Sequence, residues 1–178
     1  TSGYLNGLKC LELVLHNGVD PLTGKEVGLK TGDPLKFTGI EQIMDALKAQ
    51  CIHCYDNIMR GYNIVVGYHI TYMPTSFSSM VMEGCIDSGK CTQEGGVKYT
   101  NTTTFFCGAA SVADSLAAID TLVFQKHKLT MAQLLDAMDK NFEGCEDIRQ
   151  MLINDAPNFG NDIEYVDAFA SQIVNYCP

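Results

Sequence analysis

The sequence has few basic residues and no long apolar run. It carries 12 Lys and Arg against 21 Asp and Glu, which gives a formal net charge of −9 over 178 residues. Because phosphate binding is driven by clustered Lys and Arg, nucleic acid is excluded as an expected partner. No apolar run approaches the roughly 20 residues that cross a bilayer, so no membrane partner is expected. A hydrophobic fraction of 46% instead predicts a soluble globular fold.

Signals for export and for nucleotide binding are also missing. Residues 1–5 contain neither a basic region nor an apolar signal core, and they do not begin with Met, which favours a segment of a longer polypeptide. The Gly95-Gly96 pair fits neither the GxGxxG pattern nor the Walker pattern. Without an export signal, the cysteines are interpreted as reduced thiols of a cytoplasmic protein. Six of the eight lie mostly within apolar runs, where a thiol packs as a small hydrophobic side chain: Cys10, Cys51, Cys54, Cys85, Cys107 and Cys145.

Cys51, His53 and Cys54 have the spacing of metal ligands. A structural zinc site needs four converging ligands, and the sequence has no second CxxC or HxxxH pair to complete one. Residues three apart share one face of a helix, so Cys51 and Cys54 are expected to face the core. The sequence therefore predicts no metal site. A metal-binding helical protein is kept as a minor hypothesis, which an elemental analysis for zinc and iron tests.

Apolar residues at helical spacing predict a mainly helical chain. The first helix is predicted over residues 5–15 and is ended by Asn17-Gly18, after which an ordered connector follows. A long helix is predicted to begin at a capping box formed by Thr38 and Glu41 and to end before Pro74. The further predicted helices cover residues 78–88, a helix capped by Ser111, a helix from the Thr130–Gln133 capping box to Gly144, residues 146–154 and residues 162–176.

Residues 97–106 are rich in Thr, Tyr and Phe, which favours a β-strand. A single strand leaves its edges unpaired, so partner strands are expected from polypeptide outside this sequence. The fold class is therefore expected to be α/β, mainly helical with one or two strands.

Several stretches resemble the middle part of the glycyl radical enzymes of the pyruvate formate-lyase-like, dehydratase and lyase type. They occur in the family's order and with its spacing, and they span nearly the whole chain. The stretches are residues 9–24 (KCLELVLHNGVDPLTG), 31–34 (TGDP), 82–90 (MEGCIDSGK), 94–99 (EGGVKY), 113–119 (ADSLAAI), 141–144 (NFEG) and 157–162 (PNFGND).

The resemblance implies that residues 1–178 are one segment of the catalytic domain, a ten-stranded α/β barrel. In the family, an activating enzyme that uses S-adenosylmethionine and an iron–sulfur cluster installs a radical on a C-terminal glycine. The radical passes to a cysteine in a Gly-Cys-x-Glu loop, and the thiyl abstracts hydrogen from a small substrate in an anaerobic cytoplasm. Neither that loop nor the glycyl loop matches any part of this sequence. The chain is therefore expected to contain no catalytic residue and no bound cofactor.

The resemblance also implies where the substrate lies. Tyr4 matches a position at which dehydratase-like members place a tyrosine against the substrate. Residues 100–107 match a passage close to the substrate that usually reads Asn-Thr and then Gln-Gly-Val-Gly. Here the Gln-Gly pair is replaced by two phenylalanines, which implies a less polar pocket. The expected substrate-binding residues are Tyr4, His16, Thr104, Phe105 and Phe106.

His16 has two interpretations. It stands where Asn is common in the family, and from there it either reaches toward the pocket or only caps the helix that ends at Asn17-Gly18. The whole chain also has two interpretations. The first is part of a glycyl radical lyase or dehydratase, whose partners are the remaining polypeptide, an activating enzyme, a small-molecule substrate and further copies in a homo-oligomer. The alternative is a non-catalytic structural or binding subunit that pairs with another chain.

Overall fold

The computed structural model describes residues 2–100 and 103–176, and these are mainly helical, as expected. The strands β1 (Ser2–Asn6) and β2 (Thr103–Cys107) pair in a parallel two-stranded sheet. The helices are α1 (Gly7–Leu15), α2 (Ile40–Tyr72), α3 (Ser76–Met80), α4 (Cys85–Ser88), α5 (Ala109–Ile119), α6 (Met131–Asp139), α7 (Glu146–Asn154) and α8 (Glu164–Val174). Over the described ranges, no helix has the length and apolar character needed to cross a membrane.

The beginning of the chain differs from the predicted helix over residues 5–15. The first five described residues form β1, and α1 begins only at Gly7, because Asn6 caps it. The Asn6 side chain accepts hydrogen bonds from the backbone N–H groups of Leu8 (3.1 Å) and Lys9 (3.3 Å). The pairing partner of β1 lies about a hundred residues away, so the local pattern gives no sign of this strand.

The predicted stop and the ordered connector after α1 are confirmed. Asn17 and Gly18 both have positive φ, +49° and +84°. The Gly18 carbonyl accepts hydrogen bonds from the backbone N–H groups of Val27 and Gly28, which folds the connector back on the helix end. The Leu29 N–H donates to the buried Gln50 side chain at 2.9 Å, which ties the connector to α2.

The long helix α2 ends before Pro74, as predicted, but its N-terminal contact differs from the expected capping box. The Thr38 N–H donates to the Gln42 side chain at 2.7 Å rather than to Glu41. The single helix predicted over residues 78–88 is wrong, because Gly84 at φ +96° separates α3 from α4. Strand β2 is shorter at its start than predicted, and Asn101 and Thr102 of that prediction lie outside the described residues.

The C-terminal helices follow the prediction with three corrections. Helix α5 begins after Gly108, at φ +85°, so Ser111 lies inside the helix instead of capping it. The Thr130–Gln133 capping box is confirmed, but α6 ends at Asp139 because Asn141 and Phe142 take positive φ. Helix α7 matches its predicted bounds, whereas α8 is shorter than residues 162–176 by two residues at each end. Helix α5 runs on into a π-helical turn, Asp120–Gln125, that the sequence did not predict.

The described residues divide into two compact units. The larger unit comprises residues 5–55 and 106–176, and it contains the hydrophobic core. Helix α5 packs most extensively on α8 and also contacts α1. Side chains without solvent exposure in this unit include Val14, Ile43, Leu47, Val112, Leu116, Val166 and Ile173. Burial of these branched and aliphatic side chains is the main source of its stability.

The smaller unit comprises residues 2–4, 56–100 and 103–105, and it has no comparable core. It contains the second part of α2, the short helices α3 and α4, and parts of both strands. Among its described residues, only Ser79, Cys85 and Gly96 are buried, and none of them is a large apolar residue.

Candidate functional site

Two of the expected substrate residues form an aromatic pair on the sheet of the smaller unit. The rings of Tyr4 on β1 and Phe105 on β2 stack with a centroid distance of 5.5 Å and an interplanar angle of 24°. Neighbouring positions on paired strands bring such side chains together, and offset stacking is a favoured geometry for aromatic rings. The pair is open to solvent, because Tyr4 is 71% exposed and Phe105 is 47% exposed.

The backbone beside this pair fits closely against α2. A Cβ atom built on Gly3 lies 2.5 Å from Ile58 Cγ2 and 3.6 Å from Thr104 Oγ1. Only a glycine permits this approach of β1 to the helix, since real Cβ atoms do not come so close. Thr104 is half-buried at this point. The structure therefore brings Tyr4, Thr104 and Phe105 together on one short piece of sheet.

Phe106 and His16 have surroundings of their own in the larger unit. Phe106 is half-buried, and its ring closes the space that a side chain at Gly7 would occupy, beside Val112. His16 is the C-cap residue that follows α1: its Nδ1 lies 2.8 Å from the Glu12 carbonyl oxygen, and its Nε2 lies 2.9 Å from Asp139 Oδ1 on α6. The structure gives His16 the helix-capping role and links two helices through it.

A cavity of about 650 Å³ in the larger unit was not anticipated from the sequence. Its wall is mostly apolar, and it is formed by side chains of α1, α5, α6, α7 and the segments that follow α6 and α7. Asp114, Phe142 and Asn158, which belong to three of the family-like stretches, line it. The Phe159 N–H donates to Asp114 Oδ1 at 2.6 Å, so two of those stretches meet here.

Lys9 lines this cavity and contacts two carboxylates. Its ammonium group donates to Glu12 and to Asp20 Oδ1, the latter at 2.5 Å. The bond from Lys9, followed by the bond from the Thr23 hydroxyl at 2.5 Å, lowers the pKa of Asp20 from its ordinary 3.8 to about 2. The hydrogen bonds that Lys9 donates, to Asp20 first and to Glu12 second, raise the pKa of Lys9.

The lowered pKa of Asp20 predicts an acid-dependent loss of stability. A carboxyl whose pKa falls on folding stabilises the protein above its ordinary pKa, and that stabilisation is lost as the pH falls through the folded value. We therefore expect the melting temperature to fall between pH 4 and pH 2, and the Asp20→Asn variant to lose less over that window. In Lys9→Met the pKa of Asp20 returns toward its ordinary value, so the loss over the same window is smaller as well. Identical pH profiles for Asp20→Asn and the unaltered protein contradict the assignment.

A polar network at the π-helical turn also lay beyond sequence-based prediction. The buried Asp120 carboxylate accepts hydrogen bonds from the Tyr165 hydroxyl and from Gln125 Nε2, the latter at 2.7 Å. Burial, followed by the hydrogen bond to Asp120, raises the pKa of Tyr165. The partners lie 5 and 45 residues from Asp120, so no local motif predicts the contact. The network fixes α8 to the end of α5.

The cysteine and histidine cluster of α2 does not assemble as a ligand set. Over the part of the chain that the structure describes, no three His, Cys, Asp or Glu residues converge as metal ligands. Cys51 is fully buried, as predicted, whereas Cys54 is half-buried and contacts Gln50 and Cys10. The hydrogen bond with Cys10, followed by burial, raises the pKa of the Cys54 thiol, which keeps it protonated. The seven cysteines within the described ranges form no disulfide bond, and Cys107 is exposed rather than packed in the core.

Comparison with known proteins finds similar sequences over nearly the whole length of this chain. A family model described as pyruvate formate lyase-like matches residues 1–177. The trans-4-hydroxy-L-proline dehydratase of Clostridioides difficile is 38% identical over 174 residues, which cover 98% of this chain and 22% of that enzyme.

Solved structures match the fold as well as the sequence. The crystal structure of hydroxyproline dehydratase from Clostridioides difficile, with trans-4-hydroxy-L-proline bound, has a TM-score of 0.92 at 38% identity and covers 97% of this chain and 22% of that one. The glycerol-bound B12-independent glycerol dehydratase from Clostridium butyricum has a TM-score of 0.90 at 31% identity, with the same two coverages. The chain therefore spans about a fifth of the length of each relative it matches.

Proposed function

Because the chain belongs to the pyruvate formate lyase-like family of glycyl radical enzymes, we propose that it is one segment of the catalytic barrel of a glycyl radical dehydratase or lyase. The match over residues 1–177, together with 38% identity to a dehydratase, carries this proposal. Residues 1–178 then form a single part of the family's ten-stranded barrel, and β1 and β2 are two of its strands. Their free edges pair with strands supplied by the rest of the enzyme.

The radical chemistry in this proposal comes from outside the segment. A glycyl radical, installed by an S-adenosylmethionine and iron–sulfur activating enzyme, supplies hydrogen abstraction through a cysteine that this chain does not contribute. The segment contributes barrel wall, substrate contacts and the exclusion of water. Exclusion of water matters because a carbon radical that meets solvent is lost to side reactions. Alignment of the substrate matters because hydrogen transfer requires the reacting atoms to be held close together.

Tyr4, Thr104 and Phe105 are the residues that we assign to the substrate. The exposed faces of the stacked Tyr4 and Phe105 rings suit an apolar or ring-shaped part of a small hydroxylated molecule. The Tyr4 phenol and the Thr104 hydroxyl supply hydrogen bonds that orient it. Phe105 and Phe106 in place of the family's Gln-Gly pair support a substrate less polar than those of relatives that carry the amide.

The partners follow from the same proposal. The full enzyme acts on a small molecule, pairs with an activating enzyme and assembles as a homo-oligomer in an anaerobic cytoplasm. Within the larger unit, His16, bound to Glu12 and Asp139, holds α1 to α6. In the same unit, Phe106 packs at the start of α1.

Electron paramagnetic resonance of the full-length protein tests the proposed function. The complete reading frame that contains this chain is expressed and incubated anaerobically with an activating enzyme and S-adenosylmethionine. We expect the spectrum of a glycyl radical, and no such spectrum when S-adenosylmethionine is omitted. A reading frame that encodes no Gly-Cys-x-Glu loop upstream and no glycyl loop downstream, or a protein that never yields the radical, overturns the proposal.

A further inference from the structure

Residues 61–82, which we call the uncharged segment, contain no Asp, Glu, Lys or Arg, although 19% of the whole chain is charged. The segment covers the end of α2, the following turn and all of α3. A surface that faces water normally carries charged side chains, because they keep their hydration at no cost. The composition of this segment is therefore typical of a surface that contacts protein.

The uncharged segment is nevertheless open to solvent in the structure. Ile64, Tyr68 and Tyr72 are 74%, 56% and 70% exposed, and Phe77 and Val81 are 85% and 77% exposed. The first three, together with Val65, follow the spacing that places residues on one side of a helix, so they form a continuous apolar stripe. The rings of Tyr68 and Tyr72 contact each other along this stripe, with centroids 4.9 Å apart.

No described residue of the smaller unit covers this stripe. Its buried residues within the described ranges are only Ser79, Cys85 and Gly96, so the unit offers no apolar interior of its own. Contiguous exposed apolar surface is unfavourable in water and marks a contact site. Enrichment in aromatic residues and Met, together with depletion of charged residues, is typical of the centre of a protein interface.

We infer that the uncharged segment is an internal interface, covered by polypeptide of the same protein that lies outside residues 1–178. This inference rests on the proposed function. The relatives are four to five times longer than the matched segment, so most of the enzyme remains to be placed around it. A tethered segment of the same chain is present at a far higher effective concentration than a second molecule, which favours it as the occupant.

The chemistry of the covering polypeptide follows from the surface that it meets. It presents aliphatic and aromatic side chains to Ile64, Val65 and Phe77, because a charged residue placed there loses its hydration without gaining a partner. Backbone carbonyl or side-chain oxygen atoms accept hydrogen bonds from the phenol groups of Tyr68 and Tyr72. Coverage at this surface stabilises the unit that carries Tyr4 and Phe105 and thereby completes the candidate substrate site.

Photo-cross-linking of the full-length protein tests the inference. A benzoyl-phenylalanine is introduced at the position of Tyr68, and in a matched control at the position of Leu22, which is 90% exposed in the polar connector. We expect the first protein to give cross-linked peptides from outside residues 1–178, in a band of single-chain size, at several times the yield of the control. A band of double-chain size that contains two copies of the segment assigns the surface to a second molecule and overturns the inference. A yield equal to that of the control overturns it too.

Charge substitution supplies a second measurement that does not depend on cross-linking chemistry. In the full-length protein, Tyr68→Glu is expected to lower the melting temperature strongly, whereas Leu22→Glu leaves it unchanged. Equal melting temperatures contradict an internal interface. Radical formation separates this inference from the proposed function. If the protein forms the glycyl radical but Tyr68 is freely accessible, the proposed function stands and the inferred interface is overturned. If the protein is cross-linked as expected but never forms the radical, the inferred interface stands and the proposed function is overturned.

Discussion

Replacing Leu116 with alanine is expected to lower the free energy of unfolding by about 2–5 kcal/mol. Leu116 has no solvent exposure and lies in α5, the helix that packs most extensively on α8. Removing its branched end takes away apolar contacts and leaves a cavity that rigid neighbouring helices fill only in part. Chemical denaturation of the protein measures the difference.

Two matched variants locate the cause of that loss. Leu116→Met keeps most of the volume, so it is expected to cost less than about 1.5 kcal/mol. Leu22→Ala removes the same atoms as Leu116→Ala, but from a side chain that is 90% exposed. It is therefore expected to leave the free energy of unfolding unchanged. If the two alanine variants unfold alike, α5 is not at the centre of the core.

Replacing Tyr4 with alanine is expected to lower kcat/KM of the activated full-length enzyme by roughly 10²-fold, the loss that misplacing a substrate by about 1 Å produces. The variant removes the hydroxyl group and also the ring that stacks on Phe105. Tyr4→Phe keeps the stack and loses only the hydroxyl, so a smaller loss is expected. The glycyl radical signal stays at its usual intensity in both variants, because the radical residues lie outside this segment.

The same assay distinguishes substrate contact from a general effect on folding. Phe105→Gln restores the amide common in the family, and we expect it to shift the preference toward a more polar substrate while radical formation is unchanged. Tyr99→Ala removes another exposed tyrosine of the smaller unit, at 81% exposure, and is expected to leave kcat/KM unchanged. Equal losses in Tyr4→Ala and Tyr99→Ala argue against a substrate contact at Tyr4.

Prediction from sequence succeeded where the deciding interaction is local. The Thr130–Gln133 capping box and the stop at Asn17-Gly18 appear as predicted, because a cap is made between residues three or four apart. The prediction failed for the start of α1 and for the helix over residues 78–88. At the first of these a distant strand competes for residues 2–6, and at the second a positive φ at Gly84 breaks a run whose apolar pattern looks continuous.

For the candidate site, the residue types came from family resemblance and the arrangement came from the structure. The resemblance selected Tyr4 and Phe105, but their ring stack depends on the register of β1 against β2. It left two roles open for His16, and the contact with Asp139, 123 residues away, is what gives it a place between helices. The proximity of Lys9 and Asp20 across a turn was likewise not visible in their spacing.

By itself, the sequence determined the family, the mainly helical character and the positions of most helices, because these are set by motifs and by apolar spacing over a few turns. Only the tertiary structure decided which strand pairs with β1, which half of α2 is buried and where the cavity beside Lys9 lies. Each of these depends on contacts between residues far apart in the chain, whose free energy no local pattern encodes. For the same reason the sequence shows that residues 61–82 carry no charge, but only the structure shows that their apolar side chains are exposed in this chain.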